Sequence, residues 1–263
     1  TGAEAAAVVN NNAAATMLAL SAMAEGRAVI VSRGQLIEIG GGYRLPDVME
    51  CSGAKLREVG TTNKTHLFDY QRAINEETGA LLKVHPSNFE VVGFTKTVST
   101  KEMVALASEH DLPVIDDVGS GALIDFSEFG LMDEPVVSQS IKDGADVVLF
   151  SGDKLIGGPQ CGIIIGKRKY IDTILSNPLM RAMRVDKMTL AALSATLLIY
   201  RDENRARTEI PILRMLSMPK ENLKLRAEKI VAQLSHLGEL EICEAVEADS
   251  MLGGGSLPTQ KLS

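Results

Sequence analysis

A lysine stands between an apolar run and a glycine-rich turn in Ser151-Gly152-Asp153-Lys154-Leu155-Ile156-Gly157-Gly158-Pro159. Asp146-Val147-Val148-Leu149-Phe150 precedes it and reads as a strand, and residues 161–165 read as another. At the end of a buried element, desolvation lowers a lysine's pKa and makes its amine a nucleophile toward carbonyls. A Schiff-base lysine needs this, and pyridoxal phosphate is the usual cofactor on one. The same nonapeptide also suits a surface lysine in a glycine-rich hairpin, so the other motifs must decide.

Four further groups carry possible chemistry. Asn10-Asn11-Asn12 lies between an apolar run and the Ala-rich segment from Ala13, where a helix start would offer free N–H groups to a phosphate. An ordinary asparagine N-cap is the other reading. Asp116 and Asp117 end the apolar run from Pro113; a carboxylate there could pair with a protonated pyridine nitrogen, and paired acids also suit Mg²⁺. His85 and Asn88 follow the apolar run at 80–84. His85 is either a satisfied structural histidine or a ring partner beside the same crevice. Arg181 and Arg184 are three apart, a spacing that predicts one helical face and a clamp for phosphate or carboxylate. Solvated surface charge is the alternative, although Met180, Met183 and Val185 interleave with them.

The elements that must position these groups alternate. Continuous apolar runs at 6–9, 28–32, 55–59, 80–84, 113–116 and 146–150 are short enough for strands buried on both faces of a parallel sheet. Helical segments are expected at 13–25, 46–52, 67–75, 100–110 and 135–143, with Ser99 and Glu102 forming a capping box. The fold class is α/β, a three-layer α/β/α sandwich with a mostly parallel sheet and right-handed crossovers. Its ligands are expected at the carboxyl ends of the strands. After Gly166 the pattern turns helical, at 169–176, 187–200 and 220–237, before a strand at 240–243 and a loop at 253–258. The predicted organisation is a cofactor-binding large domain at 1–185, a helical connection at 186–218 and the start of a small α+β domain at 219–263.

The chain has 263 residues, 45% hydrophobic and 23% charged, as ordinary globular proteins do. No apolar run approaches the roughly 20 residues that cross a bilayer, and the start lacks a signal-peptide pattern, so a cytoplasmic location is expected. Three scattered cysteines suggest reduced thiols, and four histidines form no metal-binding pair, so no metal is expected. A net charge of −7 argues against nonspecific nucleic-acid binding by most of this surface. The missing initiator methionine and the abrupt Ala-rich start read as those of a fragment.

Taken in order, these segments resemble bacterial selenocysteine synthases, the L-seryl-tRNA(Sec) selenium transferases, which are fold-type I pyridoxal-phosphate enzymes. The likeness also runs through Val29-Ile30-Val31-Ser32-Arg33-Gly34, Glu38-Ile39-Gly40-Gly41, Pro46-Asp47-Val48-Met49-Glu50 and the stretch 53–63. It implies that Lys154 carries pyridoxal 5'-phosphate as an internal aldimine, with Ser151 and the Asn10–Asn12 turn on the phosphate. Asp116 is the expected partner of the pyridine nitrogen, with Asp117 as the alternative. Arg181 and Arg184 would hold the anionic selenium donor, selenophosphate, and Asp153 is the acid beside the lysine. The implied reaction removes water from seryl-tRNA(Sec) and adds selenium. The family also implies a homo-oligomer, and a tRNA-binding domain before the point where this chain begins. A pyridoxal lyase acting on a small amino acid or amino sugar acid, and a non-catalytic homologue, are the alternatives.

Overall fold

The computed structural model describes residues 1–129, 134–234 and 242–248. In chain order its first half contains β1 (Ala5–Val9), α1 (Asn12–Ala24), β2 (Ala28–Ser32), β3 (Glu38–Ile39), β4 (Tyr43–Arg44), α2 (Leu45–Cys51), β5 (Lys55–Val59), α3 (Leu67–Ala73) and β6 (Thr78–Val84). There follow α4 (Thr100–Ser108), β7 (Val114–Gly119), α5 (Val137–Lys142), β8 (Val147–Ser151) and β9 (Gly162–Gly166). The rest is helical: α6 (Arg168–Ser176), α7 (Leu179–Met183), α8 (Lys187–Ile199), α9 (Glu203–Glu209), α10 (Pro211–Leu216) and α11 (Lys220–Leu234).

Seven strands form one sheet in the order β1-β9-β8-β7-β6-β2-β5, and β3 and β4 make a separate two-stranded hairpin. The pairings from β8 across to β5 are parallel, whereas β9 runs antiparallel to both β8 and β1. The sheet is mostly parallel, as expected, and β9 is the exception because the ten residues joining β8 to β9 double back as a hairpin, whereas a parallel neighbour needs a longer crossover. The expected burial on both faces holds for β2, β7 and β8 but fails for β1 and β5. As an edge strand, β5 leaves Lys55, Leu56, Arg57 and Glu58 exposed.

The period of two sorts strand residues onto two layers. Val31, Leu82, Ile115, Leu149 and Ile164 face α1, α2 and α6, whose small and aliphatic residues Ala15, Leu18, Met49 and Ile171 complete one core. On the opposite face, Ile30, Leu81 and Val114 pack with Met103 and Leu106 of α4. Val148, Phe150 and Ile163 pack with Leu193 of α8 on that side. Ala206, Ile210 and Leu213 of α9 and α10 are buried against Ile124, Phe126 and Leu155. Ser99 caps α4 as expected: its Oγ accepts the Glu102 N–H at 3.2 Å and Glu102 Oε2 accepts the Ser99 N–H at 2.8 Å. The strand expected at 240–243 begins outside the described residues, and Ile242 and Cys243 lie in no strand. The loop expected at 253–258 and residues 235–237 of the last helix also lie outside them.

Candidate functional site

The turn from β1 into α1 provides the first wall. Asn11 is the N-cap, its Oδ1 accepting the Ala14 N–H at 2.8 Å. Asn12 opens the helix and donates from Nδ2 to Asp117 Oδ1 at 2.9 Å, and Thr16 Oγ1 lies 3.1 Å from Asp117 Oδ2. Asn10 does not face the same space. It leaves β1 exposed, and its backbone N–H donates to the Met183 carbonyl at 2.9 Å.

Asp116 and Asp117 are adjacent on β7 and therefore point to opposite faces of the sheet. Asp117 shares the α1 side with Val84. Asp116 turns to the α4 side, where Thr100 Oγ1 donates to its Oδ2 at 2.8 Å and Lys83 Nζ stands 3.7 Å from Oδ1. Of the two acids, Asp117 lines the cavity of Lys154, whereas Asp116, the expected partner of the pyridine nitrogen, does not. Burial pushes the Asp117 carboxyl up to about 6, against the opposing pull of the Asn12 and Thr16 hydrogen bonds and the Lys154 charge.

Lys154 sits in the β8–β9 connection, so the glycine-rich hairpin reading describes the backbone correctly. Its side chain nevertheless lines a cavity with Asp117. The loop is held by Gly152 N–H to the Cys161 carbonyl and Gly158 N–H to the Gly152 carbonyl, each 2.9 Å, and by Leu155 N–H to the Ser120 carbonyl at 3.1 Å. Gly157 has φ +69, the left-handed region in which glycine is unstrained. Burial lowers the Lys154 pKa, while Asp117, Asp153 and Glu134 oppose that shift. The result is an amine more available as a base or nucleophile than an exposed lysine.

The cavity encloses about 220 Å³ and brings together Asn11, Asn12, His85, Asp117, Ser151, Asp153 and Lys154. Ser151 is buried and Asp153 exposed. His85 anchors through its backbone N–H to the Asp117 carbonyl at 2.9 Å. Burial, followed by the Lys83 charge, pushes its imidazole down to about 4, so the ring is neutral near neutrality. Asn88 stays outside this cavity, donating from Nδ2 to the Glu38 carbonyl at 2.8 Å.

Ile37, Ile39, Tyr43, Ser87 and Gln160 also line the space, and the motif reading missed them as site residues. The β3–β4 hairpin folds back over the cavity, and only the glycines at 40–42 hinted at such a turn.

Arg181 and Arg184 depart from the expected pairing on one helical face. Arg181 lies in α7, but Arg184 follows its end with extended backbone (φ −66, ψ 145) and forms an isolated bridge with Val9. Both are exposed, and neither lines the Lys154 cavity. The bridge and the Asn10–Met183 hydrogen bond set the end of α7 beside the β1–α1 turn.

The model of the L-seryl-tRNA selenium transferase family, SelA, matches residues 1–263. The chain belongs to this family. L-seryl-tRNA(Sec) selenium transferases of Clostridium perfringens and Maridesulfovibrio salexigens are each 57% identical to it over 263 residues, and that of Geobacter sulfurreducens is 56% identical. Each match covers 100% of this chain and 57% of the relative, so the chain spans little more than half the length of these relatives. Among solved structures, D-glucosaminate-6-phosphate ammonia-lyase superposes with a TM-score of 0.62 at 24% identity, covering 76% of this chain and 55% of that one. Aspartate aminotransferase of Thermus thermophilus gives 0.57 at 18% identity, covering 89% and 57%. These neighbours bear out the fold-type I α/β/α architecture. Among the described residues, no helix is long and apolar enough to cross a membrane, and no cluster of three or more His, Cys, Asp or Glu could hold a metal ion.

Proposed function

We propose that this chain is the cofactor-binding core of an L-seryl-tRNA(Sec) selenium transferase, with pyridoxal 5'-phosphate on Lys154. The observation carrying this reading is the meeting of Lys154, Asp117 and the start of α1 in one cavity, in a chain whose whole length matches that family. The residues fit the cofactor. An amine, a buried carboxylate and a helix N-terminus line one space, and the buried Asn12 Oδ1 has no hydrogen-bond partner there.

Bound in this cavity, pyridoxal phosphate supplies an electron sink that acidifies the α-hydrogen of a seryl group. Lys154 Nζ, made less basic by burial, takes up that hydrogen as a proton. Asp117 holds the proton on the pyridine nitrogen, and Asn12 and Thr16 hold Asp117. The first N–H groups of α1, with Asn11 and the Ser151 hydroxyl, hold the phosphate. Neutral His85 offers a ring face without adding charge, and Asp153 lies beside the lysine at the cavity edge. Arg181 and Arg184 hold selenophosphate as it approaches past the β1–α1 turn. Overall, the seryl hydroxyl leaves as water, selenium from selenophosphate takes its place on the β-carbon, and hydrolysis of the P–Se bond releases phosphate. Seryl-tRNA(Sec) is gripped by segments of the full-length protein beyond this chain, in a cytoplasmic homo-oligomer.

Full-length protein should absorb near the visible edge, lose that band on borohydride reduction, and yield a labelled peptide containing Lys154. Given seryl-tRNA(Sec) and selenophosphate, it should form selenocysteyl-tRNA(Sec). Label on a different lysine, or turnover confined to a free small amino acid, overturns the proposal.

A further inference from the structure

Glu134 is a buried acid, 8% exposed, that the reading above leaves without a role. Ser120 holds it: the Ser120 Oγ donates to Glu134 Oε1, and Ser120 itself has no exposed surface. The Ser120 carbonyl accepts the N–H of Leu155, the residue after Lys154, at 3.1 Å. One serine thus ties the acid to the lysine loop. Glu134 also lines a second cavity of about 330 Å³, which shares His85 with the cavity of Lys154.

We infer that Glu134 exchanges a proton with Lys154 Nζ and passes it to the second cavity. The inference rests on Lys154 being the base of the proposed reaction. After Lys154 takes a proton from the substrate carbon, its ammonium gives that proton to a Glu134 oxygen. The amine is restored and the carboxylate becomes a carboxyl, which then releases the proton through the second cavity, while a proton from solvent goes to the departing seryl hydroxyl so that it leaves as water. Glu134 acts through Lys154 and is a positioning residue in that sense.

Burial pushes the Glu134 carboxyl up to about 7, against the Ser120 hydrogen bond and the Lys154 charge, so both of its states are accessible near neutrality. The titratable groups near Lys154 are Asp117, Asp153, Glu134 and the neutral His85. Those sharing the second cavity with Glu134 are His85, Lys64, Glu90 and Lys96.

Glu134→Gln removes the charge and keeps an acceptor for Ser120. In full-length enzyme stripped of cofactor, the pH midpoint of Lys154 acetylation, read by peptide mass spectrometry, should fall by roughly one unit as a negative neighbour is lost. In loaded enzyme, loss of deuterium from the α-carbon of seryl-tRNA(Sec) to solvent should slow by roughly 100-fold, for one proton-transfer partner removed. Glu134→Asp should restore much of both. If Glu134→Gln fails to fold, Ser120→Ala supplies the test. Without its hydrogen bond, Glu134 stays protonated to higher pH, and the Lys154 midpoint falls in the same direction. An unmoved midpoint and unchanged deuterium loss overturn the inference. Borohydride label on a lysine other than Lys154 overturns the underlying reading instead, whatever the acetylation titration shows.

Discussion

Asn12 Nδ2 donates to Asp117 Oδ1 at 2.9 Å, joining the first residue of α1 to the carboxyl end of β7 across 105 positions of sequence. One hydrogen bond therefore links the helix end proposed for the phosphate with the carboxylate proposed for the pyridine nitrogen. Asp117→Asn should lower turnover by roughly 100-fold, the scale for losing one preorganised charge at a reacting group. Asp116→Asn should leave the cofactor absorbance in place and instead cost about 1–3 kcal/mol of stability, since it weakens a buried pairing with Thr100 and Lys83. Steady-state kinetics and denaturant unfolding on both variants separate the two acids. Equal effects on turnover would reject the assignment.

The raised pKa of Asp117 sets the sign of a pH effect in cofactor-free protein. Its folded-state value, about 6, lies above the ordinary 3.8, so the folded state binds the proton more tightly than the unfolded state. The contribution to stability is complete below about pH 4 and is lost as pH rises through about 6. Asp117→Asn should flatten that part of the stability profile and make apo-protein more stable than wild type at pH 8, by on the order of 2 kcal/mol. Urea unfolding at pH 5 and pH 8 reads the difference. A variant less stable at pH 8 would contradict it.

At Gly162, a Cβ would collide with the Asn11 carbonyl and the start of α1. Gly162→Ala must move the turn proposed to hold the phosphate, or the strand, at a cost of about 1–3 kcal/mol typical of overpacking. Thermal unfolding should fall and cofactor affinity should weaken together. Unchanged affinity would mean that the turn does not touch the cofactor.

Arg181 and Arg184 are exposed and stand apart from the Lys154 cavity. Replacing either with alanine should raise the KM for selenophosphate by about tenfold, the size of one charge-assisted contact, with the cofactor spectrum unchanged. A shifted spectrum with normal KM would place them on the cofactor instead.

Local signals carried far along this chain. The alternation of apolar runs with helical segments, the Ser99–Glu102 capping box and the lysine after β8 were all legible because they depend on neighbours within a few residues. Arg181 and Arg184 do not share a helical face, because three-residue spacing implies one only while the helix continues, and α7 ends at Met183. Tyr43 and Glu134 left no local trace, since each reaches the site by folding back from a distant segment.

By itself the sequence determined the class of fold and the family, and it singled out the lysine proposed as the nucleophile, all of which are written in residue types and their order. Tertiary structure alone decided which of two adjacent aspartates faces the lysine. It did so because consecutive strand residues point to opposite faces, and only the placement of α1 and α4 makes one face a cavity and the other a core.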